Sequence, residues 1–393
     1  MNRKYLIVNT GSASKKYAFY NETERVYTAH FEFENGKPIV TEFFKDEKRK
    51  KSITKTQFIK AIGVIIDSLI EKKIINSKED IDCAGVRIVA PGEYFLKNKI
   101  IDKEYLKMTD LALQKVPLHL GPALEEIKNI KTFFNPNKPI FGISDSAFHA
   151  TIPEYARFYA IPIKDSRKIG LYQYGYHGIS IQSVVSRAKK ILGKLPNKVI
   201  VCHLGGGASV TAVLNGESVN TSMGFTPLEG LVMATRVGDI DPGAVLFLSE
   251  KLKKTNKELE HYFNNKCGLL GISGKSDDLR KLIEHEKEGH QDSTLALEVY
   301  TNKIKQYIGR MSAVLGGVDL IILAGTVGER SPIIRERICK NLEYLGIEID
   351  KKINNKNCGE ETLINKSDSK CKVLIVKTDE MEEMAKTTLS LLK

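Results

Sequence analysis

Residues 198–243, KVIVCHLGGGASVTAVLNGESVNTSMGFTPLEGLVMATRVGDIDPG, bring three glycines, an arginine and two carboxylates into one short stretch. Gly205, Gly206 and Gly207 follow an apolar run that ends at Cys202. A second run, Ala208 to Leu214, closes at Asn215-Gly216. Consecutive glycines let backbone N–H groups converge on an anion with no Cβ in the way, although the same triplet also serves as a plain turn. Thr226-Pro227-Leu228-Glu229-Gly230 lies downstream, then Arg236 beside Asp239 and Asp241. An arginine and carboxylates this close to a phosphate-type loop suggest phosphoryl chemistry.

Four more groups stand where chemistry could use them. Arg87 interrupts the apolar run Ile81 to Val89 and is followed by Ala90-Pro91-Gly92-Glu93. It is either a solvated edge charge or a guanidinium at a strand end, suited to bidentate grip on a carboxylate or phosphate. Asp145 comes just past the strand Pro139 to Ile143, where α/β enzymes place functional groups. A turn or helix N-cap role would explain it as well. His119, in Val116-Pro117-Leu118-His119-Leu120-Gly121-Pro122, reads as part of a loop leading into a helix over residues 123–131. His177 stands between Gly175 and Gly178, before a helix over residues 181–192.

The positioning elements follow from hydrophobic periodicity. Phe58, Ile59, Ile62, Ile65, Ile66, Leu69 and Ile70 keep a helical period, which predicts one helix over residues 58–72. Residues 5–8, 16–20, 198–202, 208–214, 320–324 and 373–376 read as strands. Helices are expected over 295–315, 333–345 and, after Thr378-Asp379-Glu380, to Lys393. The segment 325–331, GTVGERS, reads as a small-residue turn between strand and helix. Strands leading through turns to helices or return strands predict an α/β architecture. With Gly11 set on Gly205, LIVNTGSASKKYAFYN falls without a gap on IVCHLGGGASVTAVLN. Strand, small-residue turn and strand therefore occur twice, which implies two similar domains.

Composition narrows the class. The 393 residues are enough for two domains, and 42% hydrophobic residues can build substantial cores. No apolar run is long enough to span a membrane, and the start of the chain has too short an apolar run for a secretory signal. The six cysteines show no C-x-x-C spacing, so free thiols in a reducing cytoplasm are expected. The formal charge of +12 comes mostly from scattered lysine; its densest cluster, Lys45 to Lys51, contains acids too. No nucleic-acid module is recognisable, and a lysine-rich surface that favours anionic small ligands is the preferred reading.

The chain resembles the acetate kinase family within the actin-like phosphotransferases, in order and over nearly its whole length. The resemblance is carried by NTGSASKK, GVRIVAPGE, VPLHLGP, DSAFHATIP, YGYHGIS, HLGGGAS, NTSMGFTPLEGLVMATRVGDIDP, GLLGISGKSDDLR, AGTVGERS and KTDE. It implies an α/β fold of two duplicated actin-like (ribonuclease H-like) domains with a central active-site cleft. The first domain would take residues 1–148 with the C-terminal helix, about 382–393, and the second residues 149–381. It implies reversible phosphoryl transfer from ATP to acetate, giving ADP and acetyl phosphate, with Mg²⁺ (Mn²⁺ as substitute), in a cytoplasmic homodimer.

By position the resemblance assigns Asn9 and Glu380 to the metal, and Lys16, Ser12 and Ser14 to nucleotide phosphate. Arg87 would hold the substrate carboxylate or phosphoryl oxygens, with Val89, Leu118, Tyr176 and Pro227 lining a methyl pocket. Asp145 would orient the acetate, while His177, Arg236 and His119 stabilise the transferring group. His203, Leu204, Gly205, Gly206, Gly207, Asp278, Leu279, Arg280, Thr326, Val327, Gly328, Glu329 and Arg330 would meet the nucleotide. Gly206, Thr326 and Arg330 depart from the family's usual Asn, Gly and Asn, and Ala90-Pro91 from its His-Gly. Propionate, or a donor such as another nucleotide or pyrophosphate, therefore stays as an alternative, as does a non-catalytic nucleotide-binding scaffold.

Overall fold

The computed structural model describes residues 2–11, 14–357 and 359–393, with the side chains of residues 117–119 outside that description. Two compact units divide the chain: Met1–Ala147 with Asp379–Lys393, and Phe148–Thr378. Glu380 thus belongs to the same unit as Asn9.

The sheet of the first unit is built from β1 (Lys4–Thr10), β2 (Ser14–Asn21), β3 (Glu24–Glu34), β4 (Lys37–Phe44), β5 (Glu47–Ser52), β6 (Cys83–Ile88), β7 (Lys99–Ile100) and β8 (Ile140–Ser144). Their order is β5-β4-β3-β2-β1-β6-β8-β7. The first three strands pair antiparallel, whereas β6 and β8 run parallel to β1. Crossover helices cover parallel strands on both faces, and β8 is accordingly buried at every position.

The second unit's sheet contains β9 (Lys198–Leu204), β10 (Ala208–Leu214), β11 (Glu217–Thr221), β12 (Leu320–Ala324), β13 (Thr362–Leu363) and β14 (Lys372–Ile375). The order is β11-β10-β9-β12-β14-β13. Again three antiparallel strands meet two parallel ones. This is the duplicated, actin-like α/β fold.

The two phosphate-type hairpins nevertheless differ by one residue in register. Asn9 faces Lys16 and Thr10 faces Lys15 across β1 and β2. His203 faces Ser209 and Leu204 faces Ala208 across β9 and β10. The second turn is one residue tighter, with Gly205 N–H donating to Gly207 O at 2.9 Å, against Gly11 N–H to Ser14 O at 2.8 Å. A one-residue slip exchanges the faces of a strand. Lys15, next to the residue singled out in the sequence, points into the core instead. Its Nζ lies 2.6 Å from Glu126 and donates to Ile59 O at 2.9 Å, tying β2 to the helix Pro117–Phe133.

Several expected elements change. The expected helix over 58–72 is two, Lys55–Ile59 and Ala61–Glu71, because Lys60 leaves helical geometry at φ −94°, ψ 41°. Ile62, Ile65, Ile66 and Leu69 still form one buried stripe. The stretch from Pro117 opens a helix and is not a loop, since proline suits the first helical position. Gly325–Arg330 is helical and not a turn, and the next helix, Pro332–Cys339, stops short of the expected end. Strands β3, β4, β5 and β11 had no counterpart in the sequence reading. The lysine cluster falls largely on β5, the outermost strand of its sheet, where every residue is exposed.

Candidate active site

In the first unit Arg87 sits on β6, between β1 and β8, so it is an interior-strand charge and not an edge one. Asp145 is one residue beyond β8, and its N–H donates to Ile88 O at 2.9 Å. That places carboxylate and guanidinium side by side. Arg87 donates from Nη2 to Asp145 Oδ2 at 2.9 Å and from Nε to Oδ1 at 3.3 Å, with side chains 19% and 1% exposed respectively. Its Nη1 donates to Asn9 Oδ1 at 3.3 Å, and Asn9 Nδ2 donates to Glu380 Oε2 at 2.8 Å. Asp145, Arg87, Asn9 and Glu380 form one line of polar groups at the strand ends. Burial works against the Arg87 charge, but Asp145 and Glu380 outweigh it and hold the guanidinium above its ordinary range. Arg87 is a fixed cation with Nη1 held only at long range.

Lys16 is exposed and shares a sheet face with Asn9. Ser14 is half-buried beside it, and Val89 is half-buried just past β6. Ser12 lies outside the described residues, as do the side chains of Leu118 and His119.

In the second unit the groups converge on Gly207. A Cβ built there would lie 3.2 Å from His177 Nε2 and 3.6 Å from Arg236 Nη1, so the missing side chain leaves room for both. His177 adopts left-handed backbone geometry, φ 62° and ψ 16°, just before the helix Gly178–Leu192. Such geometry disfavours a side chain and concentrates at functional sites. Its Nδ1 pairs with Ser209 Oγ at 3.0 Å, and its ring lies 4.3 Å from that of His203, which pairs with Ser180 Oγ at 2.7 Å. Arg236 is half-buried, and Nη1 donates to Pro227 O at 3.3 Å. Pro227 is buried. Tyr176 is also buried, its hydroxyl donating to Phe225 O at 2.6 Å, so it supports the loop carrying Pro227.

The segments assigned to nucleotide share this unit. Gly205 and Gly207 are half-buried and Gly206 is exposed, whereas the Leu204 side chain is fully buried and leaves only its main chain to a ligand. Gly325, at φ 74°, has no space for a Cβ, which would lie 2.6 Å from Leu204 O; the helix Gly325–Arg330 packs directly on the hairpin. Thr326 and Arg330 are exposed on that helix, Val327 is half-buried and Gly328 buried. Glu329 accepts from Thr378 N–H at 3.1 Å. Asp278 caps the helix Leu279–Lys287 and holds Arg280 in a bidentate pair, Nη2 to Oδ2 at 2.7 Å and Nε to Oδ1 at 3.1 Å. Leu279 is buried.

The sequence profile of the Acetokinase family matches residues 4–386. The chain belongs to the acetokinase family. It is 39% identical to an acetate kinase of Bacteroides thetaiotaomicron, over 99% of this chain and 100% of the relative. The crystal structure of Porphyromonas gingivalis acetate kinase superposes with a TM-score of 0.89 at 34% identity, covering 100% of both chains. A propionate kinase from Francisella tularensis gives 0.89 at 32% identity, covering 98% of both.

Some supporting residues escaped the sequence reading. Ser209 orients His177, and only the alternation of β10 opposite His203 could have pointed to it. His149, fully buried in DSAFHATIP, sits 2.8 Å from Ser218 Oγ through Nδ1 and 2.9 Å from Tyr176 O through Nε2. Donation to a carbonyl requires the proton on Nε2, so His149 fixes the chain one residue before His177.

Proposed function

We propose that this acetokinase-family protein is an acetate kinase, transferring the terminal phosphoryl group of ATP to acetate in line and reversibly. An acetate oxygen bonds to the γ-phosphorus as the bond to the β–γ bridging oxygen breaks, and ADP leaves with that electron pair. Acetate is already ionised at neutral pH, so no proton need be removed. The observation that carries the reading is the convergence of His177 and Arg236 on the space above Gly207. A loose transition state spreads negative charge over three equatorial oxygens, and cationic or hydrogen-bonding groups aimed there lower its energy. Arg87, steered by Asp145, suits a bidentate hold on acetate.

Asn9 and Glu380 would hold Mg²⁺. An amide oxygen and one carboxylate suit an ion that keeps several waters and few protein ligands; Asn9 here turns Nδ2 to Glu380 and Oδ1 to Arg87, so its amide would turn over to offer the oxygen beside the carboxylate. Bound Mg²⁺ would neutralise charge on the nucleotide phosphates. Lys16 on the same face adds a further positive charge for them.

The test is hydroxamate formation by purified protein with acetate, hydroxylamine and Mg²⁺, comparing ATP, GTP and pyrophosphate, and propionate against acetate. Hydroxamate with ATP and acetate, at a higher kcat/KM than with propionate, is expected. No product with any donor would sink the kinase reading and leave a nucleotide-binding scaffold.

A homodimer fits one feature of the second unit. The helix Pro242–Leu252, sequence PGAVLFLSEKL, has no buried residue, and Leu246 and Phe247 are 73% and 59% exposed. An apolar helix left uncovered in a single chain marks an association surface. Leu246→Glu should shift the mass by light scattering from twice 44.0 kDa to 44.0 kDa. An unchanged dimer would put the interface elsewhere. A cytoplasmic location agrees with the free, buried Cys83, Cys202, Cys339 and Cys371, and no described helix is long and apolar enough to cross a membrane.

A further inference from the structure

The loop over residues 224–230 belongs to no helix or strand, so no ladder of backbone bonds fixes it. Single backbone bonds hold its two ends, from Tyr174 and Gly175 N–H to Gly224 O at 3.1 and 3.3 Å and from Asp239 N–H to Gly230 O at 3.0 Å, and side chains hold the stretch between. Both main-chain polar groups of Phe225 are held by tyrosines: its N–H donates to Tyr159 Oη at 2.9 Å, and its O accepts from Tyr176 Oη at 2.6 Å. The Tyr159 hydroxyl in turn donates to Glu229 Oε2, four residues further along the same loop. Gln173 Nε2 donates to the other Glu229 oxygen at 3.1 Å. Gly224 allows this closure, since a Cβ there would collide with the Glu229 carboxylate and the Tyr159 hydroxyl. At the far end, Gly230 N–H donates to Asp239 Oδ1 at 2.9 Å. Between these ties lies Pro227, whose carbonyl receives Arg236 Nη1.

We propose that Tyr159 and Glu229 are positioning residues that set the acetate-over-propionate preference, by fixing the loop that places Pro227 and Arg236. The inference rests on the acetate kinase reading, in which Pro227 walls the methyl pocket. Rejection of one extra methylene is worth only ~1–3 kcal/mol in an apolar pocket, about 10–200-fold. Discrimination of that size survives only if the wall cannot yield. Tyr159→Phe removes the hydroxyl that joins Phe225 to Glu229 while keeping the ring. Glu229→Gln is milder: its amide offers one oxygen to two donors and turns an N–H₂ group on the other.

The experiment measures kcat/KM for acetate and propionate, and KM for ATP, in full-length parent and both variants. Tyr159→Phe should lower the acetate-to-propionate ratio about tenfold, with KM for ATP within about twofold. Glu229→Gln should lower the ratio in the same direction by less, and it decides the matter if Tyr159→Phe does not fold. Ratios unchanged in the folded variants, even with a lowered Tm, would overturn the proposal, because that is how a purely structural tie behaves. A parent inactive with either acid would instead refute the acetate kinase reading.

Discussion

Arg236→Ala should lower kcat by on the order of 10³-fold while KM for acetate changes by less than about threefold. The asymmetry follows from where the charge is. The Arg236 guanidinium lies beside His177, over a glycine with no side chain, and Nη1 donates to a main-chain oxygen, Pro227 O, at 3.3 Å. It is poised for charge that develops on the transferring phosphoryl group and is absent from ground-state acetate, so its loss raises the barrier more than it weakens binding. Arg236→Lys would keep the charge but not the planar fork, and should recover only part of the rate. Steady-state kinetics in the ATP-to-acetate direction checks both. Equal kcat in Arg236→Ala and parent would remove Arg236 from the transfer step.

Arg335→Met is expected to have the largest effect on stability, a loss of about 3–5 kcal/mol. Arg335 is fully buried. Nε donates to Asn354 Oδ1 at 2.7 Å, Nη1 to Gly328 O and Glu329 O at 3.0 and 2.8 Å, and Nη2 to Asn354 O and Asn357 O at 3.0 and 2.7 Å. All five guanidinium protons are used. Methionine has similar length, so the main loss is the donor that each of five buried acceptors gives up; of these, Asn354 O keeps a second donor, Asn357 N–H at 3.3 Å. Two of these are carbonyls near the end of the helix Gly325–Arg330, whose start packs on the glycine hairpin. KM for ATP should therefore rise in the folded fraction. Urea denaturation monitored by circular dichroism gives the first quantity; a loss below about 1 kcal/mol would contradict the account.

The sequence was most legible where local pattern and global fold agree. The apolar runs of β1, β9 and β12 identify buried strands, and the two hairpins reveal the duplication. The linking of Arg87 with Asp145 was not readable, because the contact depends on β6 and β8 being neighbours although 58 residues separate the pair. Lys60 ends a helix that periodicity alone would run straight through. Pro117 reads as a loop residue by type alone, and its place at the first helical position is what makes it compatible with a helix. Strand β5 is exposed throughout and offers no apolar contrast, but β3 alternates buried Tyr27, Ala29 and Phe31 with more exposed residues and β4 buries Ile39 and Val40, a pattern the sequence did carry. His149 and Ser209 act through other residues; the alternation of β10 is a faint pointer to Ser209, and His149 has none in its own neighbourhood.

The register difference between the two hairpins bears on how the halves came to differ. Alignment by residue similarity sets Lys16 against Val210, whereas the strand pairing sets Lys16 against Ser209, because these two face Asn9 and His203. At the corresponding place, then, one copy carries a long cation and the other a short hydroxyl that steers a histidine. A single-residue change in turn length is enough to hand the site-facing side of a strand to a new set of positions. Residue similarity between the copies therefore misleads along this strand: the counterpart of Lys16 is Ser209, and the site-facing positions of each hairpin follow from its own pairing.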